Sequence, residues 1–208
     1  MKHFTYLALA FSTVIIINAC SSPEAPKTVP EKVENCTYTY DHSSSVLEWT
    51  AYKFTDKTEV KGTFTRITMK DGGAAQDPKR LIQSLSFTIP TSTIETQNPE
   101  RDAKIAQFFF GTSIETITGN MGILNDDGTV SIEITMNDVT KKVPGTYMLE
   151  DGNFAFQTTI DVADWNMIPG LNALNKVCRE LHRGPDKVSK LWSEVDLLFT
   201  TNLKADCE

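Results

Sequence analysis

The chain has 208 residues, with 20 basic residues against 27 acidic ones and a formal net charge of −7. An acidic surface without a basic cluster argues against nucleic acid as a partner and against electrostatic attachment to anionic headgroups. The length beyond the N-terminal segments suits one folded domain.

Met1-Lys2-His3 is followed by an apolar run from Phe4 to Ile17. A basic start and a short apolar stretch mark a secretory signal, and the run is too short for a spanning helix. Ile17-Asn18-Ala19-Cys20 resembles a bacterial lipobox, which implies acylation of Cys20 as the mature N-terminus. Cleavage of an ordinary signal peptide at a nearby small residue is the other reading. Ser21 to Asn35 is rich in proline and charge and has no periodic apolar pattern. It reads as a tether that could extend roughly 50 Å. The expected organisation is therefore a lipoprotein signal peptide over 1–19, a tether over 20–35 and a domain over 36–208. The expected location is the cell envelope, lipid-anchored at the outer membrane and facing the periplasm or the surface. The membrane contact is then the acyl group on Cys20, palmitate or a related chain.

In chain order, Val46 to Phe54 is strand-like, with Leu47, Trp49 and Ala51 on one side. Alternation over Thr58 to Arg66 puts Val60, Gly62 and Phe64 on one face. Leu81, Leu85, Phe87 and Ile89 alternate with Ser84, Ser86 and Thr88, and Ile114 to Leu124 forms a weaker strand. Asp127-Gly128 is a hairpin signal. Val130, Ile132, Ile134 and Met136 then oppose polar neighbours in the cleanest period-two run of the chain. Val143 to Leu149 follows, with a second turn at Asp151-Gly152. Phe154, Phe156, Ile160 and Val162 form the inward face of the next strand, and Val195, Leu197, Phe199 and Leu203 that of the last. Eight one-sided strands joined mostly by short turns predict a mainly β fold: an eight-stranded antiparallel barrel with two short helices. Such a barrel can hold one small ligand.

The first helix is expected in Thr91 to Gly111. Asn98 offers a cap, Pro99 suits the first helical position, and Glu100 and Asp102 complement the helix start. Gly111 stops it, and Phe108, Phe109 and Phe110 cannot all share one face. The second is predicted over Leu171 to Arg183, with Leu171, Leu174, Cys178 and Leu181 on one stripe and Gly184-Pro185 as its end. Its place before the last strand suits a cover for a barrel mouth.

With Cys20 acylated, Cys36, Cys178 and Cys207 remain, and an exported protein can form disulfides. Pairing Cys36 with Cys207 would close nearly the whole domain, worth on the order of 5 kcal/mol on a chain-entropy account. That pair is the expected one, leaving Cys178 as a helix-face thiol; sequence alone leaves the other two pairings open.

Catalytic and metal signals are weak. His42 and His182 have no acidic or cysteine neighbours at ligand spacing and read as surface residues. The acidic residues of Asn125-Asp126-Asp127-Gly128 are consecutive rather than alternating, so a hairpin explains them better than calcium. Asp161 and Asp164 beside Trp165 fit a strand end and turn. No nucleophile elbow or phosphate loop is found. The chain is expected to be no enzyme, with neither metal nor cofactor.

Tyr38-Thr39-Tyr40-Asp41, Ser45-Val46-Leu47-Glu48-Trp49 and Val60-Lys61-Gly62-Thr63-Phe64 fall in a recurring order. Ser92-Thr93-Ile94-Glu95-Thr96, Arg101-Asp102, Phe108-Phe109 and the polar turn Asn137 to Val143 continue it. Together they make the chain from about Tyr38 to Lys204 resemble the YceI-like family of exported, lipocalin-like barrels. The resemblance implies an apolar interior that binds a long amphiphile, polyisoprenoid in characterised members. By position, Trp49, Phe64, Phe87, Phe108 and Phe109 would line or lid that interior, and Arg101-Asp102 would fix the helix start against the rim. Lys104-Ile105 stands where the family often has His-Leu, and Thr112-Ser113 where a proline is common.

The inward set taken as ligand-lining thus comprises Trp49, Gly62, Phe64, Leu85, Phe87, Phe108 and Phe109, together with Ile132, Ile134, Phe154, Phe156, Leu197 and Phe199. Gly62 removes a side chain from an inward face and favours a cavity. Two functions follow. One is a lipid-anchored carrier that stores or transports an isoprenoid or other long-chain lipid, a homodimer being left open. The alternative is a barrel filled by its own aromatics, acting as a non-catalytic envelope interaction or stress-response module.

Overall fold

The computed structural model describes residues 35–111 and 113–208, so the expected signal peptide and nearly all of the tether lie outside the described residues. Glu34–Glu208 forms one compact unit with its own apolar core.

Eleven strands, all paired antiparallel, build one curled sheet: β1 (Cys36–Tyr40), β2 (Val46–Lys53), β3 (Thr58–Phe64), β4 (Thr68–Lys70), β5 (Ser86–Pro90), β6 (Ile94–Glu95), β7 (Thr116–Asn120), β8 (Thr129–Met136), β9 (Val139–Glu150), β10 (Asn153–Asp161) and β11 (Leu191–Cys207). Hydrogen bonding runs β4-β5-β7-β8-β9-β10-β11-β2-β3-β6, with β1 added along the end of β11. The two ends of that path meet through the chain itself. β3 leads into β4 across residues 65–67, and β5 leads into β6 across Thr91–Thr93. At that junction Thr65 N–H donates to Thr93 O at 2.8 Å.

The count of eight is thus corrected to eleven. β4 and β6 are short strands beyond the expected ones, three and two residues long, and β1 is a five-residue strand ahead of the first expected one. The long strands keep the expected periodicity: Val130, Ile132, Ile134 and Met136 of β8 are all buried. Tight turns join them. Asn137 and Asp138 between β8 and β9, and Asp151 and Gly152 between β9 and β10, all have positive φ, the geometry that matches strand twist in a two-residue hairpin.

Three short helices accompany the sheet: α1 (Pro78–Gln83), α2 (Pro99–Lys104) and α3 (Ile168–Val177). α1 replaces the first part of the strand expected from Leu81. Asp77 caps it, accepting from Lys79 N–H at 2.9 Å, and Pro78 opens it. Leu81 and Ile82 are then sealed beneath it. α2 has the expected cap, with Arg101 N–H donating to Asn98 Oδ1 at 3.0 Å. It continues as a π-helical turn over Ile105–Phe110, closed by Gly111 N–H to Ala106 O at 3.1 Å. Gly111, at φ 66°, turns the chain away. α3 ends at Val177, short of the expected Arg183, because the chain turns at Cys178, whose N–H still donates to Leu174 O.

A disulfide joins Cys36 to Cys207, directly opposed on β1 and β11. Cys178 is free and buried.

Candidate functional site

Inside the curled sheet lies a cavity of about 390 Å³. A filled core has few voids larger than a water molecule, whereas ligand pockets start at about 300 Å³. Period-two alternation supplies its walls. Ile132, Ile134 and Met136 come from β8, Phe156 and Ile160 from β10, and Val195, Leu197 and Phe199 from β11. Trp49, Val60 and Phe64 come from β2 and β3, and Phe87 and Ile89 from β5.

Glycines keep the aromatics against the wall. Gly62 is the cross-strand partner of Trp49. A Cβ there would lie 2.7 Å from Trp49 Cε2 and 2.7 Å from Glu95 O, so the indole occupies the space the glycine leaves. Phe87 stands in the same relation to its partner Gly119, where a Cβ would lie 2.6 Å from Phe87 Cε1. Rings placed over glycine backbone cover the sheet instead of projecting into the lumen. That arrangement leaves room inside a curled sheet this rich in aromatics.

Among the sequence-predicted residues, Trp49, Phe64, Phe87, Phe109, Ile132, Ile134, Phe156, Leu197 and Phe199 meet around the cavity. Four do not. Gly62 is covered by Trp49. Leu85 is sealed in the core next to α1, only 1% exposed. Phe154 packs between Tyr147 and Phe199, with ring centroids 6.1 and 6.3 Å away. Phe108 stays off the cavity, because the wider π turn brings Phe109 and Phe110 to the lumen together. Their rings meet edge to face at 4.9 Å.

One end of the cavity is a mouth. Leu171, Leu174, Cys178 and Leu181, the expected stripe, line it from α3 and the turn beyond. α3 packs on the π turn at Gly170, where a Cβ would collide with the backbone of Phe109. The polar lining residues belong to this end. Asn98, Glu100, Arg101 and Lys104 come from α2 and its cap, Tyr52 and Lys53 from the end of β2, and His182 from the turn after α3. Elsewhere the wall is hydrocarbon and aromatic, and among the described residues no buried side-chain nitrogen or oxygen lacks a hydrogen-bond partner. The interior therefore has no buried side-chain polar group waiting for a ligand to satisfy it.

Arg101 straps the start of α2 to the sheet. Its Nε donates to Thr96 Oγ1 at 2.7 Å and its Nη2 to Thr96 O at 2.8 Å, while the Thr96 hydroxyl donates to Asp102. Lys104 and Glu100 pair at 2.7 Å, which raises the amine and lowers the carboxyl. The Tyr52 hydroxyl donates to Asp196, and that bond pushes the phenol up to about 12.

His182 is not the surface residue expected. It is half-buried at the mouth, with Nδ1 3.1 Å from Asn175 Oδ1. Burial, aided by the charge of Lys53, brings its imidazole down to about 4. The signal that could have found it is the apolar stripe of the adjoining helix. Burial likewise raises the Cys178 thiol, which keeps it protonated. Among the described residues no cluster of histidine, cysteine and acidic side chains could hold a metal.

The sequence model described as "YceI-like domain" matches residues 38–201. Among solved structures, a polyisoprenoid binding domain from Saccharophagus degradans implicated in plant cell wall breakdown is similar with a TM-score of 0.58 at 14% identity, covering 83% of this chain and 99% of that one. BcnA from Burkholderia cenocepacia is similar with a TM-score of 0.55 at 15% identity, covering 80% of this chain and 99% of that one. At these identities the likeness concerns the fold. No curated protein matches the chain.

Proposed function

Because this chain belongs to the YceI-like domain family, we propose that it binds one long apolar amphiphile, an isoprenoid or related lipid, in the barrel cavity. One observation carries the reading: an apolar cavity of about 390 Å³ whose polar lining residues gather at one end. The hydrocarbon tail lies along Phe64, Phe87, Ile134 and Phe156, and the head rests near Tyr52, Arg101 and His182. Arg101 and Asp102 hold α2 as part of the rim. The polyisoprenoid binding named for the Saccharophagus degradans domain supports the ligand class.

The protein is, in this reading, an envelope lipoprotein that stores or transports its ligand. Residues 1–19 are its signal peptide, Cys20 its acylated anchor and 20–35 its tether. The cavity weighs against the barrel filled by its own aromatics.

Filling the lumen tests the reading. Ile134→Trp introduces a ring where β8 faces the cavity. Wild-type protein should take up a polyprenol saturably, and the variant should bind at least tenfold more weakly with its far-ultraviolet spectrum unchanged. Undiminished uptake by the folded variant would contradict the reading.

A further inference from the structure

The overall acidity of the chain hides a local reversal around the cavity mouth. The segment from α3 to β11 carries Lys176, Arg179, Arg183, Lys187 and Lys190 against only Glu180 and Asp186. Lys53 at the end of β2 and Lys57 in the turn to β3 add to it, and that turn is bound to the segment. Phe54 N–H donates to Lys190 O at 3.0 Å, Trp192 Nε1 to Phe54 O at 2.7 Å, and Thr55 Oγ1 to Asp186 Oδ2 at 2.7 Å. Asp56 and Glu194 are the acids beside them, and Glu194 pairs with Lys57. The face is thus net basic in a chain of charge −7.

Large apolar side chains stand exposed within the same segment. Leu181 is 63% exposed while lining the cavity, and Val188 and Val177 are 47% and 43% exposed. Trp192 lies at the rim with the Lys190 amine 3.4 Å above its ring. Basic side chains interleaved with aliphatic ones, and a tryptophan at the edge, are the makings of an interfacial lipid surface. The chain enters at Cys36, paired with Cys207 at the opposite end of β11 from the mouth residues Leu191 and Trp192. An N-terminal anchor would therefore not by itself bring the mouth to a bilayer.

We infer that the mouth face docks on an anionic lipid bilayer. Lys176, Arg179 and Lys187 meet the headgroup charge, and Leu181 and Val188 enter the interface, so that the cavity opens onto the lipid it exchanges with. Charge complementarity and continuity with the apolar cavity favour this partner over an acidic protein. The inference rests on reading the cavity as a lipid site.

The test uses residues 34–208, which form a compact unit with their own core. Co-sedimentation is measured with phosphatidylcholine vesicles and with mixed phosphatidylcholine–phosphatidylglycerol vesicles. The expected result is saturable binding to the mixed vesicles only. It should weaken at least tenfold in the folded triple variant Lys176→Glu/Arg179→Glu/Lys187→Glu, and also in high salt. A second variant, Leu181→Ser, should also lose binding while keeping all seven basic groups. Equal binding to both vesicle types, or no vesicle binding with polyprenol uptake intact, overturns the docking inference alone. A concentration-dependent dimer through this face assigns it to a second copy and overturns the inference too. Loss of polyprenol uptake in the wild type strikes at the cavity reading itself.

Discussion

The indole of Trp49 lies over Gly62, its partner across β2 and β3, in the space where any larger residue would place its Cβ. The indole is held there from the side as well, its Nε1 donating to Thr63 O at 3.3 Å. Cavity and wall depend on that pairing, since a tryptophan denied this place must turn into the lumen.

Gly62→Ala tests it. The new methyl would meet both the indole and the Glu95 carbonyl, and backbone cannot yield cheaply. Overpacking of this kind costs about 1–3 kcal/mol. Urea denaturation should report that loss, together with reduced polyprenol uptake as Trp49 shifts inward.

Arg101→Ala removes two hydrogen bonds from Thr96, which is only 7% exposed. Bonds to a charged group are worth about 1.5–3 kcal/mol, so chemical denaturation should show a loss in that range. Asn98→Ala at the cap should cost about 1 kcal/mol.

The pH dependence follows from His182. Its folded pKa of about 4 lies below the ordinary 6.5, so the folded state binds this proton less readily than the unfolded chain. The resulting stability is fully present above pH 6.5 and is lost as pH falls towards 4. At about 1.36 kcal/mol per pH unit the loss is bounded near 3 kcal/mol, and solvent at a half-buried ring reduces it to about 1–2 kcal/mol. The wild type should lose that much more than His182→Gln between pH 7 and 4.

The Cys36–Cys207 disulfide spans a sequence separation of 171. Reduction, or Cys36→Ser, should cost about 2–5 kcal/mol in guanidinium unfolding. Because the bond lies at the end of β11 away from the mouth, ligand uptake by the folded fraction should persist.

Strand alternation made most of the cavity wall legible. Ile132, Ile134, Phe156, Leu197 and Phe199 point where a period of two puts them, and Asn98-Pro99 announced α2. What escaped depends on register or on non-local bonding. Leu85 fitted an alternating run, but the cap at Asp77 and the opening Pro78 draw the residues before it into α1. Phe110 replaces Phe108 because one i→i+5 bond, Gly111 to Ala106, widens the turn. Gly62 suggested empty space, yet cross-strand pairing gives that space to Trp49. The burial of His182 comes from the β2 end and α3 packing around it, and the only local sign of it is the apolar stripe that ends beside it at Leu181.

The central claim is that the cavity holds an apolar amphiphile. Native mass spectrometry of the domain from Cys36 onward, purified without detergent, with organic extraction of the same sample, tests it most directly. The account predicts a one-to-one adduct of isoprenoid-like mass, or its appearance when polyprenol or an isoprenoid quinone is added. An unliganded mass that neither addition changes would contradict it.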